Sequence, residues 1–142
     1  MATIDILRDD NRMIVRANHG SATVEFPEPD VVLITYDGVA LEAFVGPVTK
    51  EVESRARFPV ALAVDASALS SYETGFRKQW TDWMDKNKPR AVYILSGSRL
   101  VVMGISLANA VLGGTIRGFN SASEFKAAVA ALGREASTSA QL

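Results

Sequence analysis

Residues 60–75 begin Val60-Ala61-Leu62-Ala63-Val64-Asp65, continue Ala66-Ser67-Ala68-Leu69-Ser70-Ser71-Tyr72, and end Glu73-Thr74-Gly75. The opening run is wholly apolar until Asp65, which suits a strand covered on both faces. A second run, Ala91 to Leu95, ends in the same way at Ser96. Between the two, Phe76, Trp80, Trp83 and Met84 share one helical face, while Arg77, Lys78, Asp82, Asp85 and Lys86 point away. Strand, helix, strand with covered strands implies a right-handed crossover and a parallel sheet. This stretch therefore sets the class as α/β.

Working back toward the N-terminus, the period changes to two. Ile4 and Ile6, then Val24 and Phe26, then Val32, Ile34 and Tyr36 alternate with polar residues, as half-buried antiparallel strands do. Turn chemistry separates them at Arg8-Asp9-Asp10-Asn11, Asn18-His19-Gly20-Ser21 and Pro27-Glu28-Pro29-Asp30, and Asp37-Gly38 is expected to close the β-rich part. From Leu41 the period becomes helical: Leu41, Phe44, Val48 and Val52 form a stripe, with Glu42, Lys50, Glu51, Glu53 and Arg55 opposite. Pro47 lacks a backbone donor, so the helix either kinks there or begins there.

Toward the C-terminus a third helix is expected from about Arg99 to Leu112, apolar nearly all round, and a short strand over Thr115 to Phe119. The last helix carries a capping box, Ser121 with Glu124, a stripe of Phe125, Val129 and Leu132, and a stop at Gly133. The expected architecture is α/β: a mixed, partly parallel sheet with N-terminal antiparallel strands and four helices. One domain, 1–133, is expected, with 134–142 as a flexible tail; strand order is left open.

Composition narrows function by exclusion. At 142 residues, roughly two thirds of the unfolded surface is buried in a single core. Fifteen Lys plus Arg against sixteen Asp plus Glu leaves a net charge of -1, with no summed field to attract nucleic acid. No cysteine is present, which removes disulfides, thiolate catalysis and Cys-type zinc sites. No charged side chain occurs from Leu100 to Ile116, but its glycines and polar residues favour a buried helix and turn over a membrane span. The first residues lack a signal-peptide core, and a soluble cytoplasmic protein is expected. His19 is the only histidine and falls in a turn, so no catalytic constellation, metal site or cofactor site is recognised.

With the strand ending in Asp65, the loop after it and the helix starting near Thr74-Gly75, the chain resembles the STAS domain family, in its SpoIIAA-like, anti-sigma-factor-antagonist-like branch. The likeness covers roughly Val31 to Leu132, and Arg117-Gly118-Phe119-Asn120-Ser121 with the following helix also looks like that branch. The resemblance implies a non-enzymatic regulator that docks to a protein partner. It also places Glu73 at the family's second acidic position and Thr74 at the position phosphorylated in regulatory members. Where those members have an acidic residue, Ser, Ser, Gly and Leu in succession, this chain has Glu73, Thr74, Gly75 and Phe76, one small residue short.

Two candidate sites follow. Ser70, Ser71 and Thr74 are expected at a helix N-terminus, where free amides and the dipole favour a phosphoryl group or a docking contact; ordinary capping by Ser70 with Glu73 accounts for the same residues. Asp65 and Ser67, together with Ser96, Gly97, Ser98 and Arg99, follow parallel strands and are expected at the carboxyl-end crevice, where a small apolar ligand or a nucleotide would sit. A plain strand-to-helix turn capped by Ser98 fits those residues as well. The all-apolar third helix also suggests a homodimer through apolar helix surface, and Trp80 and Trp83 are expected in the core.

Overall fold

The computed structural model describes residues 3–96 and 116–141, with side chains through Gly133. The described residues form one seven-stranded sheet in which spatial order follows chain order: β1 (Asp5–Arg8), β2 (Arg12–Ala17), β3 (Gly20–Glu28), β4 (Val31–Ala40), β5 (Ala61–Tyr72), β6 (Ala91–Leu95) and β7 (Ile116–Phe119). Strands β1 to β4 are an antiparallel meander, and β4 to β7 are parallel. The change of direction coincides with the change from two-residue alternation to continuous apolar runs. Three helices are described: α1 (Glu42–Arg55), α2 (Thr74–Asn87) and α3 (Ala122–Gln141). The helix expected over Arg99–Leu112 lies outside the described residues.

Alternation along β5 separates the two faces of the sheet. Leu62 joins the main core with Phe44, Val48 and Val52 of α1 and Trp80, Trp83 and Met84 of α2. Ala61 and Ala63 turn the other way, toward Phe125 and Leu132 of α3, as the pleat requires. Each large side chain fully buried on the helical-pair face is worth about 1.5–3 kcal/mol. The α3 face is anchored differently, with Phe119 edge-on to both Tyr93 and Phe125 at centroid distances of 5.3 and 5.8 Å.

Several local expectations are corrected. Helix α1 starts at Glu42 and runs through Pro47: the ring forfeits one hydrogen bond, to the Ala43 carbonyl, while Phe44, Val48 and Val52 are all completely buried. Glu51 is not on a solvated face but buried, between Arg8 of β1 at 3.5 Å and Arg55 at 3.4 Å. Strand β4 does not stop at Asp37-Gly38. Gly38 has φ +76 and sits against the His19 carbonyl, so the chain bends there and continues to Ala40. At the other end α3 passes Gly133 and reaches Gln141, since glycine inside a helix costs only about 1 kcal/mol against alanine; a Cβ at Gly133 would press on Glu28 at 3.1 Å. Ser121 caps α3 as expected, its Oγ accepting from the Glu124 N–H at 3.4 Å.

Candidate functional site: the rim where β5 meets α2

The extension of β4 decides what happens after Asp65. Along residues 37–40 the edge of β4 away from β3 carries backbone groups that a further strand can pair. Strand β5 therefore continues beside them, with Asp37 opposite Ala68, Gly38 opposite Leu69, Val39 opposite Ser71 and Ala40 opposite Tyr72. Two register shifts, between Thr35 and Asp37 and between Gly38 and Val39, absorb the extra residues of β5. Ala66 and Leu69 are buried and hold the extension to the core.

Ser70 and Ser71 consequently lie within a strand, both exposed, and not at a helix N-terminus. The capping box expected from Ser70 and Glu73 does not form, because strand pairing with β4 carries Ser70 away from the helix end. Thr74 is exposed and is the first residue of α2. Ser70, Ser71 and Thr74 are thus gathered on one strand-to-helix junction. Glu73 is the N-cap residue in extended conformation, and its N–H donates to the Ala40 carbonyl at 3.0 Å.

The side chain of Glu73 does not cap its own helix. Its Oε1 accepts from the backbone N–H of Glu42, the first residue of α1, at 2.7 Å. Glu42 in turn places its carboxylate against Gly75 in the first turn of α2, occupying the space a Cβ at Gly75 would need. Gln79 Nε2 donates to Glu42 Oε1 at 2.7 Å and holds it there. Sequence reasoning misses these roles of Glu42 and Gln79. The one local signal is Leu41, an apolar N-cap residue that cannot supply its own acceptor.

Below this rim α2 is anchored by its aromatic face. Trp80 Nε1 donates to the Tyr36 hydroxyl at 3.0 Å in a buried contact, and Trp83 Nε1 donates to Glu53 Oε1 at 2.9 Å. Burial pushes the Tyr36 hydroxyl far above its ordinary range, with the Trp80 hydrogen bond pulling the other way, so Tyr36 remains a neutral hydroxyl. Lys78, on the outer face, is raised by its 2.8 Å contact with Asp82. Beside the aromatic face, an almost entirely apolar cavity of about 110 Å³ opens between α2 and strands β5 to β7, lined by Tyr36, Leu62, Val64, Trp80, Met84 and Ile94 among others.

The second expected site is only partly described. Asp65 is opposite Leu95, so the structure brings it beside the end of β6 and Ser96. The Asp65 carboxylate accepts from Ser67 twice, from its N–H at 3.0 Å and its hydroxyl at 2.6 Å. Ser96 is buried, and its N–H donates to the Phe119 carbonyl at 2.9 Å. Asp65 is interior to β5 and not at a strand end, since β5 runs on with β4. Gly97, Ser98 and Arg99 lie outside the described residues. His19 is exposed in the β2–β3 turn, its carbonyl accepting from Val39 N–H at 2.9 Å. Among the described residues no three acidic or histidine side chains come together as metal ligands, and no helix is long and apolar enough to cross a membrane.

No family model and no curated protein matches the chain in sequence. Solved structures similar in fold include the following two. An uncharacterized protein of the DUF3478 family with a SpoIIAA-like fold, from Shewanella loihica PV-4, shares 13% identity at a TM-score of 0.56, over 90% of this chain and 93% of its own. An anti-sigma factor antagonist from Mycobacterium paratuberculosis shares 18% identity at a TM-score of 0.58, over 78% of this chain and 93% of its own. The fold is SpoIIAA-like, a mixed α/β fold with a partly parallel sheet.

Proposed function

We propose that this chain is a non-catalytic regulatory module that acts by docking to a partner protein through the rim formed by Ser70, Ser71, Glu73 and Thr74. The observation that carries this reading is the exposure of those residues together on one strand-to-helix junction. A SpoIIAA-like fold shared with an anti-sigma factor antagonist supports it. Strand β5 and the core face of α2 fix the backbone of the rim, so binding there carries no loop-ordering cost. Charge at Thr74 is the natural switch, because a phosphoryl group adds about −1.5 to −2 charge at a helix N-terminus. The test is site-specific photo-crosslinking in the native host, with a photoreactive residue at Ser71, Thr74 or, on the opposite face, Lys126. One protein captured from Ser71 and Thr74 but not from Lys126 is the expected result. Capture from none of the three, or equally from all, sinks the docking reading. Mass spectrometry of the same material reports whether Thr74, Ser70 or Ser71 carries phosphate; none would remove the switch and leave docking.

A second reading, binding of a small apolar ligand, is favoured by the cavity beside Trp80. It moves the site from the expected crevice at Asp65 and Ser96 to the space between α2 and the sheet. A cavity of about 110 Å³ is on the scale of a single small ring. Trp80 lines it and reports on it: an apolar probe that enters should quench or shift tryptophan emission, and native mass spectrometry of protein from its host should show added mass. Unchanged emission together with an unliganded mass rejects this reading. Self-association through apolar helix surface is checked separately, by light scattering at high micromolar concentration, where a monomer rules it out.

A further inference from the structure

We propose that the apolar cavity beside Trp80 takes a small organic acid, with its apolar body among the core side chains and its carboxylate on the guanidinium of Arg77. The inference rests on the reading of that cavity as a ligand site, and it adds the chemical class of the ligand.

The cavity wall is apolar at Leu62, Val64, Met84 and Ile94, and Arg77 is the one charged residue among its described lining residues. Two of its polar groups are engaged within the protein: the Tyr36 hydroxyl accepts from Trp80 Nε1 at 3.0 Å, and the Thr81 hydroxyl donates to the Arg77 carbonyl at 2.9 Å. The Arg77 guanidinium differs. Two arginines among the described residues are half-buried, Arg77 and Arg90. Arg90 has its counter-ion, Asp30, at 3.3 Å. Arg77 enters no ion pair with a described residue. The acids nearest to it along the helix are committed elsewhere: Glu73, one turn before, accepts the Glu42 N–H at 2.7 Å, and Asp82 holds Lys78 at 2.8 Å.

Withdrawing a cation partly from water without a counter-ion costs free energy, which an anionic ligand returns. The planar fork of a guanidinium matches one carboxylate through two parallel hydrogen bonds. A doubly charged phosphate would find no second cation among the described lining residues. The volume, about 110 Å³, restricts the apolar body to the scale of a single small ring. Apolar contact then supplies the bulk of the affinity, while Arg77 fixes the orientation of the ligand and selects its charge.

The experiment titrates the intact chain with three probes of one ring each: toluene, phenylacetamide and phenylacetate, the last two alike in shape and different in charge. Binding is followed by tryptophan emission and by calorimetry at neutral pH, where the acid is ionised. Phenylacetate should bind saturably and at least about tenfold tighter than phenylacetamide, the worth of a hydrogen-bonded charge. Arg77→Met, which keeps an apolar stem and removes the guanidinium, should bring the two within about twofold by weakening the acid alone. Equal binding of acid and amide by the wild-type chain overturns the inference, as does a preference for the acid that survives in Arg77→Met. If toluene binds saturably without any preference for the acid, the apolar-ligand reading stands and only the carboxylate is lost. Binding of none of the three overturns both.

Discussion

The two ends of α2 are built on different principles. Its body is held by burial: Trp80, Trp83 and Met84 are each within 9% of complete burial, and both indoles also donate a hydrogen bond. Its first turn is more open: Thr74 is exposed, Phe76 is half-buried against Tyr36 and Tyr72, and the Glu42 carboxylate, held by Gln79, lies against Gly75. The body fixes where the helix lies, and the rim is left with side chains that can change chemistry without endangering the core. A surface that must be recognised varies with least damage when it sits on such a platform.

The sharpest way to break this contrast is to empty the body. Trp80→Ala should destabilise by about 3–5 kcal/mol, from lost burial and a cavity next to one already present, measured by denaturant unfolding; a loss below about 1 kcal/mol would mean the aromatic face is not the anchor. Tyr36→Phe is the finer cut at the same place. It leaves the Trp80 N–H without its acceptor and should cost about 1–3 kcal/mol, with a change in the near-ultraviolet tryptophan signal. At the rim the effects shrink. Glu73→Ala should cost about 1 kcal/mol, the usual worth of a helix cap, with faster amide exchange at the start of α1 rather than of α2. That displacement of the effect to the neighbouring helix is what a cap lent across helices demands. Gly75→Ala should change stability by only about 0.5 kcal/mol, because better helix propensity offsets displacement of the Glu42 carboxylate, a shift that denaturant unfolding resolves. Smallest of all, Ser70→Ala and Ser71→Ala should stay within about 0.5 kcal/mol of wild type while weakening partner crosslinking at the rim.

Much of this frame is legible in the amino-acid sequence. The runs Val60–Val64 and Ala91–Leu95 lie in parallel strands, the alternation at Val24 and at Val32, Ile34 and Tyr36 is an antiparallel meander, and the apolar stripes of α1 and α2 face the core as their periods require. What misleads is composition read locally. Ala66-Ser67-Ala68 and Ser70-Ser71 have the small polar character of a loop, and Asp37-Gly38 that of a turn. Each segment becomes a strand only because the other is there to pair with it. Glu51 misleads for a related reason: its helical period puts it on the polar side, and only Arg8, arriving from β1, closes over it.

The sequence by itself determined class, strand direction and the buried faces, because those follow from the period of apolar residues within a dozen positions of one another. Tertiary structure decided the working edge. The strand register that carries Ser70 and Ser71 out to the rim, and the cap that Glu73 lends to the first N–H of α1, each join segments some thirty residues apart. Their energy resides in hydrogen bonds whose donors and acceptors meet only once the parallel crossovers have set α1 beside α2, and no local pattern in the chain encodes that meeting.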